Sequence, residues 1–267
     1  MIEPITSSDN PKIKLMTKLS SSRTARKKAG LFIVEGLRHV QDLIDQKSEL
    51  VDFIIIDSDI IDIAQNKSLI KLIDKKNIRS FCVNSSLFKK VSTVKNSSGL
   101  IAIAKKPIWD YEEIIKNATK IAILDRIQNP SNSGAIIRNA AAFKIDAVFV
   151  TAGSADSFHP ESLRAMAGNC FQTPIIELSH TIIELLNQQG FNFILLDSNT
   201  GLNLGNFKPA IKNAFVFGSE GTGLSAELLN KFTNKQFVNI SISKNVDSLN
   251  VAVSSGIIFW NCCNKQP

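Results

Sequence analysis

Short runs of apolar residues alternate along the whole chain with stretches in which apolar residues are spaced three or four apart. Before residue 108 the apolar runs lie at 31–34, 53–56, 80–83 and 100–103. After it they lie at 121–124, 147–150, 193–196, 215–217 and 237–242. Helical spacing extends over 37–44 and 60–73. Near-continuous apolar runs are typical of strands buried on both faces, so the pattern predicts a parallel sheet covered by helices in each part of the chain.

A break in this pattern lies near residues 105–115. Pro107 follows two lysines and stops a strand, and the segment 109–116 leads into a short helix. A chain of 267 residues is long enough for two modest domains. We therefore predict two α/β domains, 1–107 and 108–267.

Composition excludes several classes of protein. Hydrophobic residues make up 44% and charged residues 21%, which excludes a disordered chain, a collagen-like repeat and a disulfide scaffold. No apolar stretch reaches the roughly 20 residues that a spanning helix needs. We expect no secretory signal, because the first residues show no basic segment followed by an apolar one. The sequence contains four cysteines without a C-x-x-C pair and only three histidines, which disfavours a zinc site. We expect a reduced, cytoplasmic protein with no membrane partner and no metal.

Positive charge is concentrated in the first part of the chain. Residues 1–108 hold 19 Lys and Arg against 11 Asp and Glu, whereas the remaining residues hold 12 against 13. Residues 10–34 contain no acid at all. This asymmetry indicates a polyanion partner on the N-terminal side, although a solvated lysine-rich surface would produce the same charge balance.

The first unusual loop follows the first strand of the second part and runs from Asn129 to Arg138, NPSNSGAIIR. The Asn-Pro turn predicts a polar cap at Ser131 or Asn132 and then a small-residue helix over 135–143. Capping explains Asn132 but not Arg138, six residues later in an Ala-rich helix. An Arg among packed small residues indicates contact with an anion.

The second unusual loop runs from Gly218 to Ser225, GSEGTGLS. Its three glycines let a backbone approach a ligand closely, yet their spacing matches neither a phosphate loop nor the dinucleotide-binding fingerprint. The carboxylate of Glu220 would repel phosphate, which favours an uncharged or cationic ligand. Ser225 is predicted to cap the following helix. Taken alone, this loop is equally compatible with a structural turn.

The third unusual loop joins the last apolar run to the C-terminal helix, which we expect to begin at or near Ser248. Leu249, Val253 and Ile257 are spaced to pack one face of that helix. The packing of this helix does not require Asn250, so we regard Asn250 as a candidate catalytic residue.

Together and in this order, the three loops resemble motifs of the SpoU-type (TrmH-like) RNA ribose 2′-O-methyltransferases of the SPOUT class. The matching positions are Asn132, Gly134, Arg138, Ala140, Ala142 and Phe143, then residues 217–225, then 248–251. Residues 164–169, RAMAGN, lie where that family has a glycine-containing helix end. Residues 5–14 and 32–38 are similar to the family's N-terminal RNA substrate-binding module. Three positions depart from the family's usual residues: Ser241 for Pro, Ala252 for Ser and Met166 for Ser.

The resemblance implies a fold, a cofactor and an assembly. The C-terminal domain is expected to be a parallel α/β sheet with a trefoil knot, and the smaller N-terminal domain to have a ribosomal-protein-like α/β fold. S-adenosylmethionine (AdoMet) would lie in the knot. Its expected binding residues are Gly218, Ser219, Gly221, Ile240, Ile242 and Leu249. Family members are homodimers that meet through their C-terminal helices.

The implied reaction is transfer of a methyl group from AdoMet to a ribose 2′-hydroxyl of structured RNA, without a metal. Arg138 is the family's proposed base, but a guanidinium seldom gives up its proton. We therefore favour Arg138 as a ligand for RNA phosphate and for the forming alkoxide, with deprotonation as the alternative. Asn132, Ser248 and Asn250 are expected to position the ribose and Arg138, and Glu220 to hold the loop or another polar group.

Other functions remain open from the sequence. Ribosomal RNA is the favoured substrate and transfer RNA the alternative. A non-catalytic RNA-binding protein with a degenerate AdoMet site is a second reading, which the complete set of polar motif residues disfavours. A nucleotide-dependent α/β enzyme is a third, which the absence of both phosphate-binding glycine patterns disfavours.

Overall fold

The computed structural model describes residues 2–61, 67–168, 171–197 and 200–264. Its strands are β1 (Ile2–Pro4), β2 (Leu31–Glu35), β3 (Val51–Asp57), β4 (Ser80–Val83), β5 (Leu100–Lys105), β6 (Lys120–Asp125), β7 (Ala147–Val150), β8 (Ile175–Glu177), β9 (Asn192–Leu196), β10 (Leu202–Asn203), β11 (Asn213–Gly218) and β12 (Lys235–Asn239). Its α-helices are α1 (Pro11–Ser21), α2 (Arg23–Ala29), α3 (Leu37–Lys47), α4 (Lys67–Lys75), α5 (Ser85–Val91), α6 (Tyr111–Asn117), α7 (Pro130–Ala142), α8 (Pro160–Met166), α9 (His180–Gln188), α10 (Ala226–Leu229) and α11 (Val251–Asn264).

The chain forms two compact units. The N-terminal unit comprises Met1–Pro107 and Phe158–Phe171, and the C-terminal unit comprises Ile108–Ser157 and Gln172–Pro267. The predicted helix at 60–73 lies partly outside the described residues, since 62–66 are among those not described, and α4 begins at Lys67. Asn169 and Cys170 also lie outside them. No helix in the described ranges is long and apolar enough to cross a membrane.

The N-terminal unit is built on a five-stranded sheet with the order β1-β4-β3-β5-β2. β4 runs parallel to β1 and β3, but β5 runs antiparallel to both β3 and β2. The prediction of a parallel sheet is therefore wrong for this unit. Apolar runs of four residues report burial on both faces and contain no information on the direction of the neighbouring strand.

Two short helices, α1 and α2, carry most of the early basic residues. Asn10 caps α1 with Pro11 in the first turn, and Ser22 caps α2. Arg26 is 1% exposed, and its Nη1 donates a hydrogen bond of 2.6 Å to the carbonyl of Leu19 near the end of α1. Arg26 therefore satisfies helix-end carbonyls and is not available to bind RNA.

The segment Phe158–Phe171 folds with the N-terminal unit, although it lies far along the sequence. The ring centroids of Phe158 and Phe171 lie 4.8 and 6.2 Å from that of Phe32 on β2. Arg164 Nη1 donates a hydrogen bond of 3.3 Å to the hydroxyl of Thr93. The division of the chain at residue 107 into two functional domains stays a prediction, and this segment is an addition that the sequence pattern did not indicate.

The C-terminal unit is an entirely parallel sheet of seven strands with the order β10-β12-β9-β11-β6-β7-β8. The predicted parallel sheet is confirmed here. β6 and β11 are direct neighbours, and Asp125 pairs with Gly218 in the register. The loops that follow these two strands therefore leave the sheet side by side. Ligands of open parallel sheets bind at this carboxyl edge.

β12 lies between β9 and β10, although β10 follows β9 in the chain. Gly201 meets β12 so closely that an added Cβ would lie 2.4 Å from backbone atoms of Phe237, and its φ is +101°. Only glycine fits at this position. β12 is thus in close backbone contact with the earlier segment that contains Gly201. The trefoil knot itself stays a prediction.

Candidate active site

The N-cap of α7 differs from the prediction. The side chain of Asn129 accepts hydrogen bonds from the backbone N–H groups of Ser131 (2.8 Å) and Asn132 (3.3 Å), and Pro130 occupies the first helical position. The predicted caps, Ser131 and Asn132, are therefore wrong, and the helix starts five residues earlier than expected. Because Asn129 satisfies the helix start, the side chain of Asn132 is available for other contacts.

Three side chains from the three loops form a connected chain of hydrogen bonds. Asn132 Nδ2 donates to Glu220 Oε1 at 2.5 Å, and Asn132 Oδ1 accepts from Asn250 Nδ2 at 3.0 Å. Asn132 and Asn250 are 118 residues apart in the sequence. The structure thus brings together three of the five predicted catalytic residues.

Asn250 has a structural role that the sequence analysis did not assign. Its Oδ1 accepts hydrogen bonds from the backbone N–H groups of Ala252 (2.9 Å) and Val253 (3.3 Å), so Asn250 is the N-cap of α11. The expected start at Ser248 is therefore displaced to Val251. The side chain of Asn250 therefore caps α11 and also donates a hydrogen bond to Asn132. The start of α11 and the orientation of Asn132 depend on the same amide group.

A cavity of about 480 Å³ opens beside the glycine-rich loop. All six predicted cofactor-binding residues line it, as do two of the predicted catalytic residues, Glu220 and Ser248. Three carboxylates line the cavity, those of Asp197, Glu220 and Asp247, and no Lys, Arg or His is among its described lining residues. This charge balance disfavours a phosphate ligand and suits a cation.

The glycine-rich loop is a closed turn. Ser219 and Gly223 exchange two backbone hydrogen bonds of 3.1 and 2.8 Å. A Cβ on Gly218 would lie 2.5 Å from the carbonyl carbon of Gly223, whereas a Cβ on Gly221 would meet no atom within 4 Å. Gly218 is therefore required for the turn to close, and Gly221 leaves open space at the cavity wall. Ser225 caps α10, as predicted.

Asp125 is a site residue that the sequence analysis missed. It ends β6, is 1% exposed, and its Oδ2 accepts a hydrogen bond of 2.6 Å from the backbone N–H of Ser225. The signal was available, because an Asp at the end of an apolar strand is seldom buried unless it is hydrogen-bonded. Asp197 is a second omission; it follows β9 and lines the cavity.

Within the described ranges, Arg138 has no hydrogen bond to the other predicted catalytic residues. It is exposed, whereas Ile136, Ile137 and Ala140 on the same helix are buried. Across the described ranges it makes no hydrogen bond or ion pair, and it does not line the cavity. The expectation that Arg138 lies among packed small residues is wrong, because the helical rotation places it on the outer face of α7.

The three departures from the family pattern occupy different environments. The hydroxyl of Ser241 accepts a hydrogen bond from Asn203 Nδ2 beside β10, which ties the loop after β12 in place of a proline. Residues 240–242, predicted as part of the last strand, lie in this loop instead. Met166 is fully buried in the N-terminal unit, and Ala252 lies in the first turn of α11.

Comparison with known families assigns both parts of the chain. Residues 119–260 match the family model of the SpoU rRNA Methylase family, and residues 10–102 match that of the MRM3-like substrate binding domain. An uncharacterized tRNA/rRNA methyltransferase of Synechocystis is 27% identical over 99% of this chain and 95% of its own. The 23S rRNA (guanosine(2553)-2′-O)-methyltransferase RlmP of Bacillus subtilis is 25% identical over 97% of this chain and 99% of its own.

Solved structures share the fold over nearly the whole length. The AdoMet-bound rRNA methyltransferase from Sinorhizobium meliloti has a TM-score of 0.83 at 21% identity and covers 97% of both chains. The SpoU methyltransferase AviRb from Streptomyces viridochromogenes, in complex with AdoMet, has a TM-score of 0.83 at 20% identity over 96% of this chain and 98% of its own.

Proposed function

Because the chain belongs to the SpoU rRNA Methylase family, we propose that it transfers a methyl group from AdoMet to a ribose 2′-hydroxyl of ribosomal RNA. The observation that carries this proposal is the acid-lined cavity at the glycine-rich loop, with Glu220 on its wall hydrogen-bonded to Asn132. The name of the full-length relative RlmP supports ribosomal RNA as the substrate class. The bacterial source of this relative supports a cytoplasmic location.

The residues present fit AdoMet. The cavity volume lies within the range of about 300–1,000 Å³ that is usual for small-molecule sites. Its glycines allow backbone groups to approach a ligand, and its three carboxylates favour a cation over a phosphate. When bound, AdoMet supplies a methyl group that the sulfonium charge has already activated.

The side chains of the site then have to orient the RNA and stabilise charge. Asn132 and Asn250 form a fixed pair beside Glu220, which suits them to position a ribose. Ser248 lines the cavity and is exposed, so its hydroxyl is available to the substrate. Arg138 projects from α7 with its donors free of other described residues, which suits it to bind an RNA phosphate and the forming alkoxide.

Methyl transfer into separated RNA pools tests this function. The protein is incubated with labelled AdoMet and with either ribosomal or transfer RNA, and the modified nucleotide is mapped. We expect label in ribosomal RNA at a nucleotide whose 3′ linkage resists alkali, because a methylated 2′-hydroxyl cannot attack the neighbouring phosphate. Label in transfer RNA alone would overturn the substrate class, and no label in either pool would overturn the activity.

Gly221→Val is expected to weaken AdoMet binding at least tenfold, or by about 1.4 kcal/mol, while the protein stays folded. A side chain at this position meets no protein atom within 4 Å, yet Gly221 lines the cavity, so the valine would occupy ligand space. Calorimetric titration with AdoMet and a melting curve measure both effects. Thr222→Val is the matched control, because residue 222 does not line the cavity. Equal affinity in both variants would assign the loop a purely structural role.

RNA affinity is expected to depend on exposed cations of α1 and α2. Lys18 and Lys28 are exposed on these helices, in contrast to the buried Arg26. If both bind phosphates of single-stranded RNA, the negative slope of log K against log salt should become shallower by about 1.4 in the double variant Lys18→Ala/Lys28→Ala. Filter binding across a salt series measures the slope, and AdoMet affinity should not change. An unaltered slope would exclude this surface from RNA binding.

A homodimer through α11 is the assembly that we propose. Val253 and Trp260 lie seven residues apart on this helix and are 52% and 58% exposed. Residues seven apart share one face of a helix, so this apolar pair suits burial against a second copy. Light scattering should give the mass of a dimer for the wild type and of a monomer for Trp260→Glu. A monomeric wild type would contradict the proposal.

A further inference from the structure

We propose that Arg126 is a positioning residue that holds the base of the glycine-rich loop in the conformation that binds AdoMet. The inference rests on the proposed function, because it takes the cavity beside this loop as the AdoMet site. Arg126 belongs to none of the three family motifs identified in the sequence. It follows β6 directly, at the carboxyl edge of the sheet.

The backbone of Arg126 is in a conformation that a side chain disfavours. Its φ is +53°, in the left-handed region, and the hydroxyl of Thr151 accepts a hydrogen bond of 2.9 Å from its N–H. Three other non-glycine residues of the described ranges have positive φ, and one of them, Lys144, also lies in the C-terminal unit. A glycine would relieve this strain at either position. Strained residues of this kind are found at functional sites, where the surrounding structure holds them in place.

The guanidinium of Arg126 contacts the loop at its base. Nη2 donates a hydrogen bond of 3.4 Å to the carbonyl of Gly223, the same carbonyl that accepts from the N–H of Ser219 and closes the turn. Nε is buried 3.6 Å from Asp125 Oδ1 and makes no hydrogen bond within the described part of the chain. The buried carboxylate of Asp125 therefore orients the guanidinium of Arg126 toward the loop.

Asp125 and Arg126 hold the loop at two points. Asp125 accepts from the N–H of Ser225, and Arg126 donates to the carbonyl of Gly223. On the other side of the turn Asn132 holds Glu220. A loop that is ordered before the ligand arrives loses less conformational entropy on binding. Removal of the guanidinium should therefore weaken AdoMet binding even though it relieves backbone strain.

The pair Arg126→Gly and Lys144→Gly separates positioning from stability. Both substitutions relieve a positive φ on an exposed or part-exposed basic residue, but only Arg126 contacts the loop that lines the cavity. For Arg126→Gly we expect an AdoMet Kd about tenfold higher with a melting temperature no lower than that of the wild type. For Lys144→Gly we expect an unchanged Kd. Arg126→Lys keeps the charge without the planar fork and should give an intermediate Kd.

Calorimetry with AdoMet and melting curves of the ligand-free proteins give these values without any activity measurement. An Arg126→Gly Kd within twofold of the wild type overturns the role of Arg126. So does a lower melting temperature that accompanies the loss of affinity, since it would show a general structural role. A wild-type protein that binds no AdoMet overturns the proposed function as well, which distinguishes the two failures.

Discussion

Arg138→Lys is expected to lower the rate of methyl transfer by about 10²–10⁴-fold, the range for loss of a positioned acid–base or electrostatic group. Lysine retains the positive charge but loses the planar fork that can hold a phosphate and a hydroxyl oxygen at fixed angles. AdoMet affinity and melting temperature should barely change. Arg138 is exposed, makes no hydrogen bond to the described residues and does not line the cavity. Single-turnover assays measure the rate independently of product release.

The matched control for Arg138 is Lys144→Gln, which removes an exposed positive charge just beyond the end of α7. This variant should keep the wild-type rate, because Lys144 lies outside the three loops and does not line the cavity. A near-normal single-turnover rate for Arg138→Lys would remove Arg138 from the chemical step. A rate loss with a matching fall in melting temperature would instead assign it to the fold.

Asn132→Asp is expected to lower methyl transfer by at least about 10²-fold, the loss that a misplacement of roughly 1 Å can cause. A carboxylate at position 132 can still accept from Asn250 Nδ2, but its other oxygen would face Glu220 Oε1 at the place of a 2.5 Å hydrogen bond. Two carboxylates at that distance repel, so the glycine-rich loop should separate from α7. The same single-turnover assay measures the loss.

The double variant Asn132→Asp/Glu220→Gln restores the hydrogen bond with donor and acceptor exchanged. If Glu220 acts by holding Asn132, the rate should recover to within about tenfold of the wild type. If the charge of Glu220 acts on the cationic ligand, the rate should stay low and AdoMet affinity should fall with it. A wild-type rate in the single variant would contradict the organising role of Asn132.

Local signals predicted most elements of the C-terminal unit. The apolar runs at 121–124, 147–150 and 193–196 all lie in strands of the parallel sheet. One local signal was misinterpreted: Asn129 before Pro130 is a typical N-cap followed by proline at the first helical position. Applied strictly, that rule predicts both the helix start and the availability of the Asn132 side chain. The motifs themselves identified the family, which the match to residues 119–260 confirms.

Contacts between segments that are distant in the sequence could not be predicted from such local signals. The antiparallel direction of β5 and the placement of Phe158–Phe171 with the N-terminal unit both depend on contacts between distant parts of the chain. So does the contact of Arg126 with Gly223, 97 residues later. Hydrophobic periodicity records which face of an element is buried, but it does not record which element covers that face.

The sequence by itself determined the residue types of the site and the strand ends that carry them, because turn, cap and burial preferences act over a few neighbouring residues. Only the tertiary structure decided that Asn132 meets both Glu220 and Asn250, while Arg138 lies on the outer face of the same helix. The reason is physical: β6 and β11 are adjacent and parallel, so their loops leave the sheet at one edge, and the strand order that makes them adjacent arises from the packing of the whole sheet.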